Sequence, residues 1–160
     1  MLAGVKKLFR QFEGSLEFDG GLDETRVAAA ALLVETALLD GQFDASERKA
    51  IRSALVRGFG ISESEAAEVI AEGERRTEIS GQIYTFTRAL KDHLAPEDRL
   101  KIIEMLWEVI YADGKVDAYE SNLVRRVAGL LFVPDRDSGL ARQRVKARLG
   151  IEDGDSDGSR

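Results

Sequence analysis

Apolar residues recur at helical spacing through almost every segment of the chain, and no sustained β-branched alternation bounded by hairpin turns interrupts them. The pattern predicts eight helices. The first, Leu2 to Phe12, interleaves Leu2, Val5, Leu8, Phe9 and Phe12 with Lys6, Lys7 and Arg10, then gives way to a loop through Gly20 and Gly21. Such a stripe fits a helix packed on the core or an interfacial anchor with cationic flanks, and core packing is the commoner use. The second helix spans about Glu24 to Leu39, with Asp23 as N-cap and the stripe Val27, Ala31, Val34 and Leu38. Leu32, Leu33 and Leu39 widen its apolar surface beyond one stripe, which marks it as central.

A third helix is expected from Ala45 to about Arg57, ended by Gly58 or Gly60 in a left-handed C-cap. Ser62 and Glu65 form a capping-box pattern for a fourth, to about Arg76. Ser80 can cap a fifth, to about His93, and Pro96 suits the first turn of a sixth that reaches Ala112. The seventh occupies Ala118 to about Phe132, and Pro134 opens a turn before a last helix near Ser138 to Leu149. Trp107, Phe86 and Tyr84 fall at core positions. The expected fold is therefore all-α, a single compact domain of seven to eight helices. Residues 1–24 form the N-terminal helix and loop, 25–149 the helical domain and 150–160 an acidic disordered tail.

The middle of the chain contains one acidic helix-turn-helix string twice. Asp40-Gly41-Gln42-Phe43-Asp44-Ala45-Ser46-Glu47 aligns without gaps on Asp113-Gly114-Lys115-Val116-Asp117-Ala118-Tyr119-Glu120, 73 positions later. The same offset matches Leu33 with Leu106, Glu35 with Glu108, Arg52 with Arg125 and Phe59 with Phe132. A match this extended implies two equivalent helix pairs related by a pseudo-twofold axis.

Capping accounts for most of the string. Gly41 or Gly114 supplies a left-handed C-cap, Asp44 or Asp117 the next N-cap, and Glu47 or Glu120 the N3 acid, while Phe43 and Val116 tuck into the core. Asp40 and Asp113 are left over, because a carboxylate at a helix C-terminus faces the negative end of the dipole. A divalent cation would relieve that cost, and hard oxygen ligands favour calcium, magnesium or manganese. The spacing is not that of an EF-hand. The candidate metal residues are thus Asp40, Asp44, Glu47, Asp113, Asp117 and Glu120, with capping alone as the competing account. Glu35 lies about 80° round its helix from the apolar stripe, and so borders the buried side. Glu35 and Glu108 are expected to pair with Arg52 or Arg125.

The apolar helix ending in Glu35-Thr36-Ala37-Leu38-Leu39-Asp40-Gly41, with its second copy Leu106-Trp107-Glu108-Val109-Ile110-Tyr111-Ala112-Asp113-Gly114, resembles the TerB family of bacterial tellurite-resistance proteins. It is similar also to the related N-terminal domain of a membrane-anchored DnaJ-type co-chaperone. The resemblance covers roughly residues 25 to 148. It implies a pseudo-symmetric helical domain that binds divalent metal through the matched acids and serves envelope or chemical-stress responses, beside membrane-associated partners.

Composition narrows these readings. No apolar run approaches the roughly 18 to 20 residues of a membrane-spanning helix. The chain contains no cysteine, which excludes thiolate chemistry and thiolate-bound metals and permits a reducing compartment; with the resemblance, a cytoplasmic place, or one peripheral to the inner membrane, is expected. Half of the net charge of -6 falls after residue 151, so the body is only mildly acidic. Arg142, Arg144, Lys146 and Arg148 suit the dipole of a helix C-terminus better than a nucleic-acid surface, since no aromatic residue interleaves them. Asp153 to Gly158 repeats the opening of an EF-hand loop without its position-12 glutamate. His93 is the only histidine and no serine elbow accompanies it, so the chain is expected not to be an enzyme. A cation-binding domain is the first reading; a metal-free module that docks a protein partner is the second.

Overall fold

The computed structural model describes residues 23–39, 41, 43–80, 82–113 and 116–151. The expected helix over Leu2 to Phe12, the residue Asp40 and the tail beyond Ile151 lie outside these. Among the described residues the architecture is all-helical: α1 (Glu24–Leu39), α2 (Ala45–Phe59), α3 (Glu63–Ser80), α4 (Ile83–His93), α5 (Pro96–Ile110), α6 (Ala118–Leu130) and α7 (Asp135–Leu149).

The centre is α1. Every residue from Val27 to Ala37 is buried, which leaves it no solvent face; α2, α3 and α4 cover it. The alanines Ala28 to Ala31 make that enclosure possible, because short side chains let a neighbouring backbone come close. Gly73 of α3 uses this space. A Cβ there would stand 2.8 Å from the Ala31 backbone nitrogen, so only glycine fits the crossing.

The 73-residue offset carries α1, α2 and α3 onto α5, α6 and α7. The packing follows: α1 lies on α3 as α5 lies on α7, and α2 lies on α3 as α6 lies on α7. One contact breaks the symmetry. α2 packs firmly on α5, but its counterpart, α6 on α1, is not developed; α4 packs on both of those helices instead. α4 is fitted to this place by Ile83, Phe86, Thr87 and Leu90, spaced to form one buried face.

The expected boundaries hold for α1 and need shifts elsewhere. α2 runs to Phe59, closed by Gly60 at φ 67°. α3 continues four residues beyond Arg76, through Ser80, so the N-cap of α4 is Gln82 and not Ser80. The sixth expected helix ends at Ile110 and tightens into a 3-10 turn over Tyr111–Asp113. α7 starts at Asp135, with Pro134 as N-cap. Two expected core positions are surface: Leu38 is 47% exposed and Tyr84 is 55% exposed, both pointing off the buried faces of their helices. Gly150 caps α7 at φ 74°, and Ile151 closes the motif by donating its N–H to the Lys146 carbonyl while packing on the core.

Candidate functional site

The two acidic turns are built as capping predicts. Asp44 takes an extended conformation, and its Oδ1 accepts from the Glu47 N–H at 2.9 Å. Asp117 does the same for the Glu120 N–H at 2.8 Å, and the Glu120 carboxylate accepts the Asp117 N–H in return, completing the box. Gly41 ends the first helix at φ 103°. Phe43 and Val116 are partly buried against the core, with the Arg48 guanidinium 4.7 Å above the Phe43 ring.

These turns meet. One small cleft is lined by Thr36, Ala37 and Glu47 from the first copy and by Val109, Ile110 and Glu120 from the second, each residue present with its own 73-residue equivalent. Tyr119 and Leu123 complete the wall. The cleft holds about 20 Å³, the space of one water molecule or one bare ion. Its oxygen donors are the two N3 glutamates, while the Thr36 hydroxyl is committed to the Leu33 carbonyl at 2.8 Å. Asp44 and Asp117 each spend one carboxylate oxygen on the cap. Asp40 lies outside the described residues, and only the backbone of Asp113 lies within them. Among the described residues no group of three or more metal-capable side chains is assembled.

Glu35 and Glu108 are both 8% exposed, as their place beside the apolar stripe implies. Their expected partners are wrong. Arg52 pairs with Glu63 at 3.5 Å, and Arg125 lies on the opposite side of α6 in a different cleft. Glu108 instead accepts from Arg57 Nε at 2.8 Å across the α2–α5 contact, with Arg148 Nη2 at 3.6 Å. Arg57 lies five residues beyond Arg52, about 140° further round the helix at 3.6 residues per turn, which decides which of the two meets α5. The signal available in the sequence was the symmetry: in a twofold arrangement a buried acid finds its partner in the other copy.

Glu35 has no such partner. The offset places Leu130 where Arg57 would be, and Arg75 where Arg148 would be. Arg75 is held by Glu72 at 2.7 Å. Among the described residues Glu35 makes no ion pair and no side-chain hydrogen bond, and desolvation raises its carboxyl above the ordinary value of 4.5.

His93 is exposed at the end of α4, with Nδ1 3.0 Å from the Ala89 carbonyl. Residues 26–143 match the family described as Tellurite resistance protein TerB. No match was found among curated proteins or among solved structures.

Proposed function

The chain belongs to the TerB family, and from that premise we propose that it is a non-enzymatic domain whose paired acidic turns bind one divalent cation and relay that binding to a protein partner under chemical or envelope stress. The observation that supports this reading is the convergence of Glu47 and Glu120, one from each copy, on a cleft the size of a single ion. Two carboxylates supply hard oxygen donors suited to calcium, magnesium or manganese, and these cations accept water for their remaining positions. Asp44 and Asp117 hold the two glutamates at the first turns of α2 and α6, where the helix dipoles favour their charge. Bringing two carboxylates together has a Coulomb cost that a cation removes.

Calorimetric and NMR titration of the full chain with each cation tests the reading. Saturable binding of one ion per chain is expected, with the Thr36, Glu47, Val109 and Glu120 amides moving together. Glu47→Gln and Glu120→Gln should each weaken it. Absence of binding by all three ions, or undiminished binding by both variants, would remove the metal from the function.

A metal-independent docking module is the second reading. Leu38, Leu39 and Tyr119 are between 43% and 51% exposed, and Ala37 and Tyr119 place them at the cleft margin. An apolar rim around an acidic centre suits a basic amphipathic partner segment. Partner capture that persists in chelator and is lost with Leu38→Ser and Tyr119→Ser favours this reading over the first. No described helix is long and apolar enough to cross a membrane.

A further inference from the structure

Separate from the cleft of Glu47 and Glu120, Trp107, Ser121, Arg125, Asp135, Ser138, Gly139 and Arg142 enclose a cleft of about 120 Å³ between α5, α6 and the first two turns of α7. One buried group of its lining is not satisfied. Trp107 is 4% exposed, and its indole Nε1–H is buried without an acceptor. Leaving such a donor unmade costs about 1–3 kcal/mol. Ser138 is 6% exposed, and its hydroxyl forms no hydrogen bond among the described residues. Arg125 reaches the cleft from α6, and among the described residues no acid is paired with it. Arg142 stacks over the Trp107 ring at 4.7 Å and donates Nε to the Tyr111 hydroxyl at 2.7 Å, which leaves its terminal nitrogens available. The opening of α7 has no side-chain cap for its first amides.

The first copy shows what the same place looks like when it is closed. There Val34 and Val69 stand at the positions of Trp107 and Arg142, both at most 2% exposed. Arg52, in the place of Arg125, is paired with Glu63, and Ser62 caps the following helix by accepting the Glu65 N–H at 3.0 Å. In the second copy Trp107, with its unmet indole N–H, and Arg142 stand in place of the two valines, Arg125 lacks a paired acid among the described residues, and Asp135 stands where Ser62 does.

We propose that this cleft is a binding site for a small oxyanion, a carboxylate or a phosphate group, held by Arg125, the Ser138 hydroxyl and the Trp107 indole N–H. The indole N–H and the Ser138 hydroxyl can both donate, and two guanidinium groups against the single carboxylate of Asp135 leave the lining cationic. The volume admits a few water-sized units, which suits one such group and excludes a nucleotide base.

Trp107 is the only tryptophan in the chain, so its indole N–H gives one isolated NMR signal. Titrating the full chain with inorganic phosphate and, separately, with acetate, each against sodium chloride at matched ionic strength, reads the site directly. The expected result is a saturable shift of the indole signal with at least one of the two ions, and the stronger arm identifies the oxyanion type. Arg125→Gln, an exposed change on α6, should weaken binding about tenfold, the equivalent of one charge-assisted hydrogen bond. Asp135→Asn should tighten it by removing the opposing charge. An indole signal that moves only as it does with chloride, or that shifts identically in Arg125→Gln, overturns the proposal.

Discussion

In the first half, α3 lies against α1 with Gly73 over the Ala30–Ala31 backbone. Two arginines fasten it there: Arg48 grips Glu74 at 2.7 and 3.1 Å, and Arg76 grips Glu24 at 2.8 and 3.1 Å. In the second half, the offset puts Lys146 where Gly73 stands, Ser121 where Arg48 stands and Leu149 where Arg76 stands. The α5–α7 pair is joined instead by Arg144 on Glu104 and by Arg142 on Tyr111 and Trp107. One turn chemistry is therefore kept twice, while the helices behind it are packed by different means. The turn residues Asp44, Glu47, Asp117 and Glu120 are the shared part, and the shared part is where the two halves meet.

The largest effect that would break this contrast is at Gly73. Gly73→Val should cost about 3 kcal/mol or more, because the new side chain meets backbone that cannot move aside. Denaturant unfolding measures it, and a cost below about 1 kcal/mol would mean that the close crossing does not distinguish the halves. Next come the paired acids. Glu108→Gln should destabilise by about 2 kcal/mol through loss of the charged hydrogen bond from Arg57, whereas Glu35→Gln should stabilise at neutral pH, since it removes a buried charge with no partner. Loss of stability in both would show that Glu35 is compensated as Glu108 is. Asp117→Ala should cost about 1 kcal/mol and Asp44→Ala somewhat less, because the box is closed only at Asp117. Thermal melts of the two variants give the order.

The smallest effect is the pH profile. The folded state holds the Glu35 proton more tightly than the unfolded chain does. Stability from this group is therefore present below the ordinary value of 4.5 and is lost as pH rises through the raised folded value. Subtracting the unfolding free energy of Glu35→Gln from that of the unchanged chain across this window should leave a curve that falls with increasing pH. A flat difference would count against the burial of the charge.

Much of this fold was legible in the chain, because hydrophobic spacing and caps act locally. The acids of the two turns, the left-handed Gly41 and the limits of α1 follow from residues within a few positions of one another. Most of the failures come from contact between distant segments. Arg57 reaches Glu108 over 51 positions, and nothing local separates it from Arg52. Ser80 looked like a cap because serine favours that place, yet α3 simply continues through it. That Glu47 and Glu120 share one cleft depends on how the two halves are docked, which the repeat alone does not specify. The Trp107 cleft carried no motif at all. It appears only when α5, α6 and α7 are assembled and their donors are counted.

Residues 83–93 supply more than a link between repeats. Because α4 covers the side of α1 that α6 would otherwise meet, two free copies of the 24–80 unit brought together about the same axis would each expose the apolar flank of α1. Such a pair of separate chains would carry an exposed apolar patch that favours aggregation. Joining the copies through a segment that is itself a helix with one apolar face removes that liability, and any circular permutation or split of the chain should be placed outside residues 83–93 for the same reason.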